Sequence, residues 1–527
     1  MCGNSLREKR EISVMPLVEV NPGRLEKVKD RTEGMHVTEK SDEHIVPEKP
    51  VNKAGCESRV AESVEGRCST KGNAEQTAAS RTQGRERASI GLDRVREMAR
   101  KSPGMRFTAL LHHLTPELLV ESYYSLKREA APGVDGQTWK DYGKDMQERI
   151  KDLHKRVHQG RYRARPARRV YIPKANGGKR PLGIVTIEDK IVQYGITQIL
   201  SAVYEQDFLG FSYGFRPGRS QHDALDALNV ALTQKVNWVL DADIKGFFDT
   251  IDHDCMMRFV EHRIADTRIL RLIRKWLKAG TVEERRRVPA KVGTPQGSVI
   301  SPLLANIYLH YALDQWAMAW RKKKADGVVV IVRYADDFVV GFENQDDAEQ
   351  FRLDLVARLE KFRLTLNLDK TRLIEFGRYA AERRAKRGEG KPETFTFLGF
   401  IHYCSKTQKN GRFVVLRKTD RKRLRQRLRA IKQELRVRLH KSLRSTGQWL
   451  GRVVQGYLQY HAVPGNSKSI CAFRYHVVHL WFRPLRRRSQ RSSLTWVRFG
   501  HLIDRWIPKV RILHPWPCDR FYATHPR

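Results

Sequence analysis

The sequence predicts an α+β fold, and three stretches carry that expectation. The first, GVVVIVRYADDFVVGFE from Gly327 to Glu343, sets two apolar runs, Val328–Val332 and Phe338–Val340, around a short polar turn. Each run is long enough for a strand and too short for a helix, so the stretch reads as a hairpin. The second, Asn237–Ile244, alternates: Trp238, Leu240, Ala242 and Ile244 share one face, while Val239, Asp241 and Asp243 share the other. In the third, Leu424, Leu428, Ile431, Leu435, Leu439 and Leu443 recur at steps of three and four, the apolar seam of an amphipathic helix.

The chain has 527 residues and 40% hydrophobic content, enough for two to four domains with packed cores. Its net charge of +41 asks for a polyanion partner, most simply nucleic acid. No apolar run approaches the length of a spanning helix, and the N-terminus carries no apolar signal segment, so no membrane partner is expected. The seven cysteines are scattered without a CxxC pair and read as free thiols in a reducing compartment. A cytoplasmic protein associated with nucleic acid is the expectation.

Residues 1–89 are polar, mixed in charge and poor in aromatics, and are expected to be a mostly disordered N-terminal extension. Helices are expected over Ile90–Arg100 and Leu110–Lys127, followed by a Pro/Gly loop, APGVDGQTW, at Ala131–Trp139. In the basic stretch Gly160–Ile184, Asn176-Gly177 marks a hairpin that would gather Lys174, Lys179 and Arg180. Such cations either form a solvated face or clamp phosphate oxygens of a triphosphate or template. An amphipathic helix over Thr186–Leu200 follows. In SYGFRPGRSQHDAL, Arg216 and Arg219 lie in a loop and Ser220 caps the next helix. Lys245-Gly246 ends the alternating strand ahead of Phe247 and Phe248. In TPQGSVISPLLANIYL, Ser301 is the expected N-cap and Pro302 the first helical residue, with Leu304, Ile307 and Tyr308 buried. Gln296, between Pro295 and Gly297, has little place in a loop unless it faces something. Asp347–Arg363 reads as a helix, Leu364–Lys370 as a strand and Phe395–Phe400 as a short strand or turn. Arg417–Arg452 holds 14 basic residues against two acids, with Arg421, Arg425, Arg429, Lys432 and Arg436 as candidate phosphate contacts. Trp449–Tyr460 and Phe473–Arg488 read as helices, and Trp496, Trp506 and Trp516 interleave with cations in the tail, suiting either a core or unpaired bases.

Asp336 and Asp337 are adjacent acids at a hairpin turn. They repel one another, which calls for a compensating cation such as Mg²⁺, unless the turn is merely solvated. The alternating strand offers Asp243 or Asp241, and periodicity does not choose between them. A sheet joining these strands would make a carboxylate cluster for two metal ions, able to clamp the attacking and leaving oxygens of a phosphoryl displacement. A nucleotidyl transferase fits such parts; a nuclease could share the cluster but needs no triphosphate clamp.

Taken together, the motifs resemble the group II intron-encoded reverse transcriptase/maturases. They are APGVDG at Ala131–Gly136, KRPLGI at Lys179–Ile184, YGFRPGRS at Tyr213–Ser220, DIKGFFD at Asp243–Asp249, GTPQGSVISPLLANIYL at Gly293–Leu309, YADD at Tyr334–Asp337 and LNLDKT at Leu366–Thr371. The resemblance runs from about Ile90 to the C-terminus. It implies a right-hand polymerase: fingers over 90–235, a palm with an antiparallel sheet over 236–412, a helical thumb or maturase region over 413–490 and a basic aromatic tail over 491–527. It further implies Asp243, Asp336 and Asp337 as catalytic carboxylates holding two Mg²⁺ with the Ile244 carbonyl. Phe248 would be the steric gate against a 2′-OH, with Gln296 in the nucleotide pocket, Lys174 and Arg180 at the triphosphate, and Lys370 beside departing pyrophosphate. The implied partners are intron RNA, template RNA with a DNA primer, and dNTPs. The implied function is RNA-directed DNA synthesis with assistance to intron splicing and mobility. The alternatives are a reverse transcriptase reassigned to defence or diversification, and a splicing chaperone with an idle polymerase. Many relatives carry a zinc-bearing HNH endonuclease with paired cysteines. Here Cys518 stands alone in the tail, so no second-strand DNA cleavage is expected, and mobility would draw its primer from a nick or a replication fork.

Overall fold

Runs of β-branched residues pair into sheets, and apolar residues at helical spacing cover them. A computed structural model describes residues 91–173, 178–283, 286–290, 292–488 and 494–524; the N-terminal extension and Lys174 lie outside these. The described strands are β1 (Ala167–Pro173), β2 (Lys179–Ile184), β3 (Trp238–Asp243), β4 (Thr281–Glu283), β5 (Arg286–Val288), β6 (Val329–Tyr334), β7 (Asp337–Phe342), β8 (Arg372–Glu375), β9 (Phe395–Phe397), β10 (Phe400–Lys406) and β11 (Phe413–Thr419). They form three sheets, ordered β2-β1-β4-β5, β6-β7-β3-β8 and β11-β10-β9. The β6-β7-β3-β8 sheet is antiparallel throughout, as the resemblance implied, and the fold is α+β.

The alternation in β3 divides as read. Leu240, Ala242 and Ile244 enter a large core with Ile331, Phe338 and Val340. Val239 enters a second core with Val330, Val332 and Val339, closed by the Gln221–Thr233 helix and by Phe395, Phe400 and Phe521. Both faces of the sheet are therefore buried, at about 1.5–3 kcal/mol per large apolar side chain, while Asp337 at the acid-bearing end is exposed. The large core reaches from Leu92 to Leu366, across the boundary expected at residue 235, so the two expected domains share it. A third core joins Ile431 and Leu435 to Leu450, Val454, Phe473, Val477, Trp481 and Phe499. No described helix is long and apolar enough to cross a membrane.

Several elements differ from expectation. The helix read over Leu110–Lys127 splits into a 3₁₀ turn, Leu111–His113, and a helix, Pro116–Ser125, because Thr115 caps the latter and Pro116 suits its first turn. Ile187–Tyr204 is buried nearly all round rather than amphipathic, since it runs through the large core. Ser301 begins its helix instead of capping it, and its hydroxyl donates to the Pro295 carbonyl. Leu364–Lys370 is no strand: Leu366 makes a single bridge to Ile244, and a turn follows. The long basic helix breaks into Arg421–Val437 and Leu443–His461, so the leucine seam ends at Leu435 and Leu443 is exposed. Arg216 is buried against Glu205 and two main-chain carbonyls, as a brace for its loop. Ser220 forms the expected cap, in a capping box with Asp223.

Candidate active site

The turn between β6 and β7 has two residues, Ala335 and Asp336, with Tyr334 opposite Asp337. Ala335 adopts a φ of +58°, at the first loop position, where two-residue hairpins of the II′ kind favour glycine. The turn is held from beneath. Arg333, alone among apolar neighbours in β6, is fully buried and pairs with fully buried Asp314 at 2.5 Å. Its other nitrogen donates to the Ala335 carbonyl at 2.9 Å and to Asn306 at 3.1 Å. Asn306 in turn donates to the Gly214 carbonyl at 2.7 Å. Gly214 packs directly on the turn: a Cβ there would lie 2.3 Å from the Ala335 nitrogen. Asp314 ends a π-helical turn, His310–Asp314, a distortion often kept for function.

The antiparallel register of β3 and β7 sets Asp243 directly opposite Asp337, with Asp336 at the adjoining tip. Cross-strand neighbours have Cβ atoms about 4.5–5.5 Å apart, close enough for two carboxylates to share one ion. Asp241 shares that face but lies opposite Arg372 and Val339, and its carboxylate is 3.8 Å from Arg372. The register thus sets Asp243, and not Asp241, beside the hairpin acids. Asp243 Oδ2 accepts from Lys370 Nζ at 2.7 Å and from Asn367 at 3.0 Å. The Asn367 main chain also donates to the Asp243 carbonyl, which fixes this turn against β3.

Burial pushes the Asp337 carboxyl up to about 7, with the charges of Asp336 and Asp243 adding to it. Its edge still meets solvent, so the field of its two neighbours is the part that a bound cation would cancel. Asp336 is raised by burial and by Asp243, with Arg180 pulling the other way. Burial lifts Asp241 to about 6 against the pull of Arg372. Carboxyls raised in this way, by burial first and by neighbouring charge second, gain from a bound cation.

The surroundings supply cations and a polar loop. The exposed Arg180 in β2 lies within the electrostatic reach of Asp336. Its strand is seated on the Pro295–Gly297 loop: the Gly183 nitrogen donates to the Gln296 carbonyl at 2.6 Å, and a Cβ on Gly183 would meet Pro295 at 2.8 Å. That contact sets Gln296, half-buried, against β2 of the basic hairpin. Phe248 is half-buried in the one-turn helix Phe247–Thr250, and its carbonyl accepts from the Thr294 nitrogen at 2.8 Å. On Arg421–Val437 the candidates Arg421, Arg425, Arg429, Lys432 and Arg436 are all exposed, with no ion pair to an acid among the described residues. From the same helix Arg423 reaches the field of Asp337, which joins the basic helix to the acidic cluster.

The residues fit a hard divalent cation. Among the described residues no three acidic, histidine or cysteine side chains already enclose an ion; Asp243 is engaged with Lys370 and Asn367. Mg²⁺ is held by one or two carboxylates plus substrate phosphates rather than by an all-protein cage, so an incomplete carboxylate set matches it. The sequence reading missed the supporting residues Arg333, Asp314, Asn306, Gly214 and Asn367. A lone arginine inside an apolar strand was the one readable signal for the first of them.

Residues 172–402, which hold every element of this cluster, match the family model described as reverse transcriptase (RNA-dependent DNA polymerase). The chain is 35% identical to Protein YkfC of Escherichia coli, in a match covering 56% of this chain and 90% of that protein. It is 37% identical to the group II intron-encoded protein LtrA of Lactococcus lactis, over 44% of this chain and 39% of that protein. It is 48% identical to an uncharacterized 91 kDa protein in the cob intron of Schizosaccharomyces pombe, over 29% of this chain and 18% of that protein. The match thus spans well under half of the two intron proteins.

Proposed function

The chain belongs to the reverse transcriptase family, among its group II intron-encoded reverse transcriptase/maturases, and from that premise we propose that it copies RNA into DNA, binds its own intron RNA, promotes splicing and supports mobility. One observation carries the polymerase reading: Asp243 faces Asp337 across β3 and β7, with Asp336 at the tip and Arg180 and Lys370 at the rim.

In this reading Asp243, Asp336 and Asp337, with the Ile244 carbonyl, would hold two Mg²⁺. When bound, these polarise the reacting phosphate and lower the pKa of the primer 3′-hydroxyl. The protein orients the rest. Arg180 and Lys174 neutralise triphosphate oxygens. Gln296 lines the nucleotide pocket, and Phe248 presses where a ribose 2′-OH would be, favouring dNTPs. Lys370, 2.7 Å from Asp243, would stand beside the departing pyrophosphate, where its ammonium can give a proton to the leaving oxygen. Fingers over 90–235, palm over 236–412 and thumb over 413–490 are the matching assignments, with Arg421, Arg425, Arg429, Lys432 and Arg436 gripping the template–primer duplex or intron RNA from cytoplasmic solution.

The test is primer extension on an RNA template beside splicing of a precursor at low Mg²⁺. Asp336→Ala is expected to abolish extension while leaving RNA binding and splicing assistance intact. Retained synthesis would refute the site, and splicing unaffected by wild type would refute the maturase part.

A further inference from the structure

Away from the carboxylates, a row of arginines has no side-chain partner among the described residues. Between Gly160, at φ +75°, and Ala167 the chain runs without regular structure, and its burial alternates. Arg161, Arg163 and Arg165 are exposed, Tyr162 is 1% exposed and Ala167 is buried. Period-two alternation puts the three guanidinium groups on one side, with neighbours about 6.6 Å apart for an extended chain.

The segment is rigidly seated. The Tyr162 hydroxyl donates to Asp189 and accepts from Trp276 at 3.0 Å. Its carbonyl accepts from Lys275 at 2.5 Å, and its nitrogen donates to the Arg156 carbonyl at 2.9 Å. The Arg165 nitrogen donates to Asp189 at 3.3 Å, and that of Ala167 donates to the Gly280 carbonyl at 3.0 Å. None of the three arginine side chains makes an ion pair or hydrogen bond with a described residue. Arg271, also exposed, adds to their field: together with Arg163 it holds the Lys275 ammonium below its ordinary pKa, after burial. Uncompensated cations on a rigid support repel one another, and a string of phosphates relieves that repulsion.

We propose that Arg161, Arg163 and Arg165 form a track for the single-stranded template RNA outside the active site, an inference that rests on the polymerase reading above. Three features favour one strand over a duplex. The row is a single line, whose repeat resembles that of successive phosphates along one strand. Arg163 and Arg165 also line a polar cleft of about 340 Å³, small beside a duplex, with Arg149, Asp135, Gln137 and Thr186, and with Glu188 and Asp189, whose carboxylates Arg156 and Tyr162 already engage. Beyond Arg165 the chain continues into β1, whose Ile172 pairs with Arg180, about 23 Å away at a strand's rise per residue. The row therefore leads toward the cluster that Arg180 borders. The track also gives a role to the APGVDGQ loop, which supplies Asp135 and Gln137 to the far wall.

Binding of labelled template–primer duplexes, read by fluorescence anisotropy without dNTPs, tests this. Template overhangs of about 2 and about 15 nucleotides bracket common single-strand site sizes. Wild type is expected to gain about tenfold in affinity with the long overhang. The Arg161→Ala/Arg163→Ala/Arg165→Ala variant should lose that gain and about 2 of the log–log salt slope, at ~0.7 per phosphate contact on a single strand. The Lys triple variant should restore most of both, which separates lost charge from damaged folding. Equal gains in wild type and the Ala variant would overturn the track. An equal loss on both overhangs would also overturn it, placing the row on the duplex instead. Primer extension by wild type on the short overhang is the separate control: its absence would remove the polymerase reading, while the binding comparison still judges the arginines.

Discussion

Ala335 bends the main chain left-handed beside two acids, and the surrounding residues determine that it stays there. A non-glycine residue in this region costs roughly 1–2 kcal/mol, which the buried Arg333–Asp314 pair and the bond from Arg333 to the Ala335 carbonyl offset. Gly214 closes the arrangement because the turn's own backbone lies against it. Gly214→Ala is therefore expected to push the hairpin tip outward. A displacement near 1 Å at a reacting centre costs about 100-fold in rate, so primer extension should fall by that order while RNA binding holds. Titration is a second matter for single residues. His402 is wholly buried, stacked on Phe395 with ring centroids 4.9 Å apart, and neither ring nitrogen has a partner among the described residues. Burial, with Arg417 nearby, pushes its pKa down to about 3. The unfolded chain takes up the proton below about 6.5 and the folded chain does not, so stability rises with pH between those values and is lost on acidification. At pH 5 the deficit is about 2 kcal/mol for this residue. His402→Phe should remove it, seen as a flatter dependence of urea-unfolding stability on pH between 5 and 7; an unchanged slope would show that other groups govern acid sensitivity.

Elements whose identity is set by local pattern were readable in the sequence, and those set by distant partners were not. The β6–β7 hairpin and the alternation of β3 followed from runs of Val and Ile at period two, and their acids carried the candidate site with them. The sequence could not supply the register, which alone separates Asp243 from Asp241, since it comes from pairing residues almost a hundred positions apart. Lys370 was singled out only by resemblance, and its bond to Asp243 depends on a turn that reads as a strand when apolar alternation is the sole guide. The leucine seam misled at its end for a related reason. Leu439 and Leu443 keep helical spacing, but the chain turns at 438–442 because Ser442 caps a new helix that packs Leu450 and Val454 into the same core. The helix that remains, Arg421–Val437, carries the outward cations. Arg421→Ala/Arg425→Ala/Arg429→Ala should weaken RNA binding uniformly across sequences and reduce the salt slope by about 2–3, one unit or slightly less per phosphate contact. Sequence-selective loss would instead mean that these side chains read bases.

At the scale of the whole molecule, the last described helix, Pro517–Thr524, returns to the core behind the β6-β7-β3-β8 sheet. Phe521 joins Val239 and Val339 there, and Arg520 pairs with Asp226 on the Gln221–Thr233 helix. Arg417 from β11 meets the same carboxylate at 3.0 Å, with both groups 1% exposed. One aspartate thus ties together the helix behind the acids, the β9–β11 sheet that precedes the basic helix, and the C-terminal segment. The two arginines are not equivalent in this arrangement. Removing Asp226 strands Arg417 in an apolar interior, and breaking a buried pair from one side costs about 3–5 kcal/mol. Arg520→Ala leaves Asp226 paired with Arg417 and removes the charged hydrogen bond to Asp226, about 1.5–3 kcal/mol, together with the 2.8 Å bond to the His514 ring. Asp226→Ala should therefore destabilise more than Arg520→Ala in urea unfolding, and the Asp226→Ala/Arg417→Leu double variant should recover part of the loss because no uncompensated charge remains. If the double variant proves no better than Asp226→Ala alone, the carboxylate acts by holding the C-terminal segment through Arg520, and Arg520→Ala should then be the equal of Asp226→Ala.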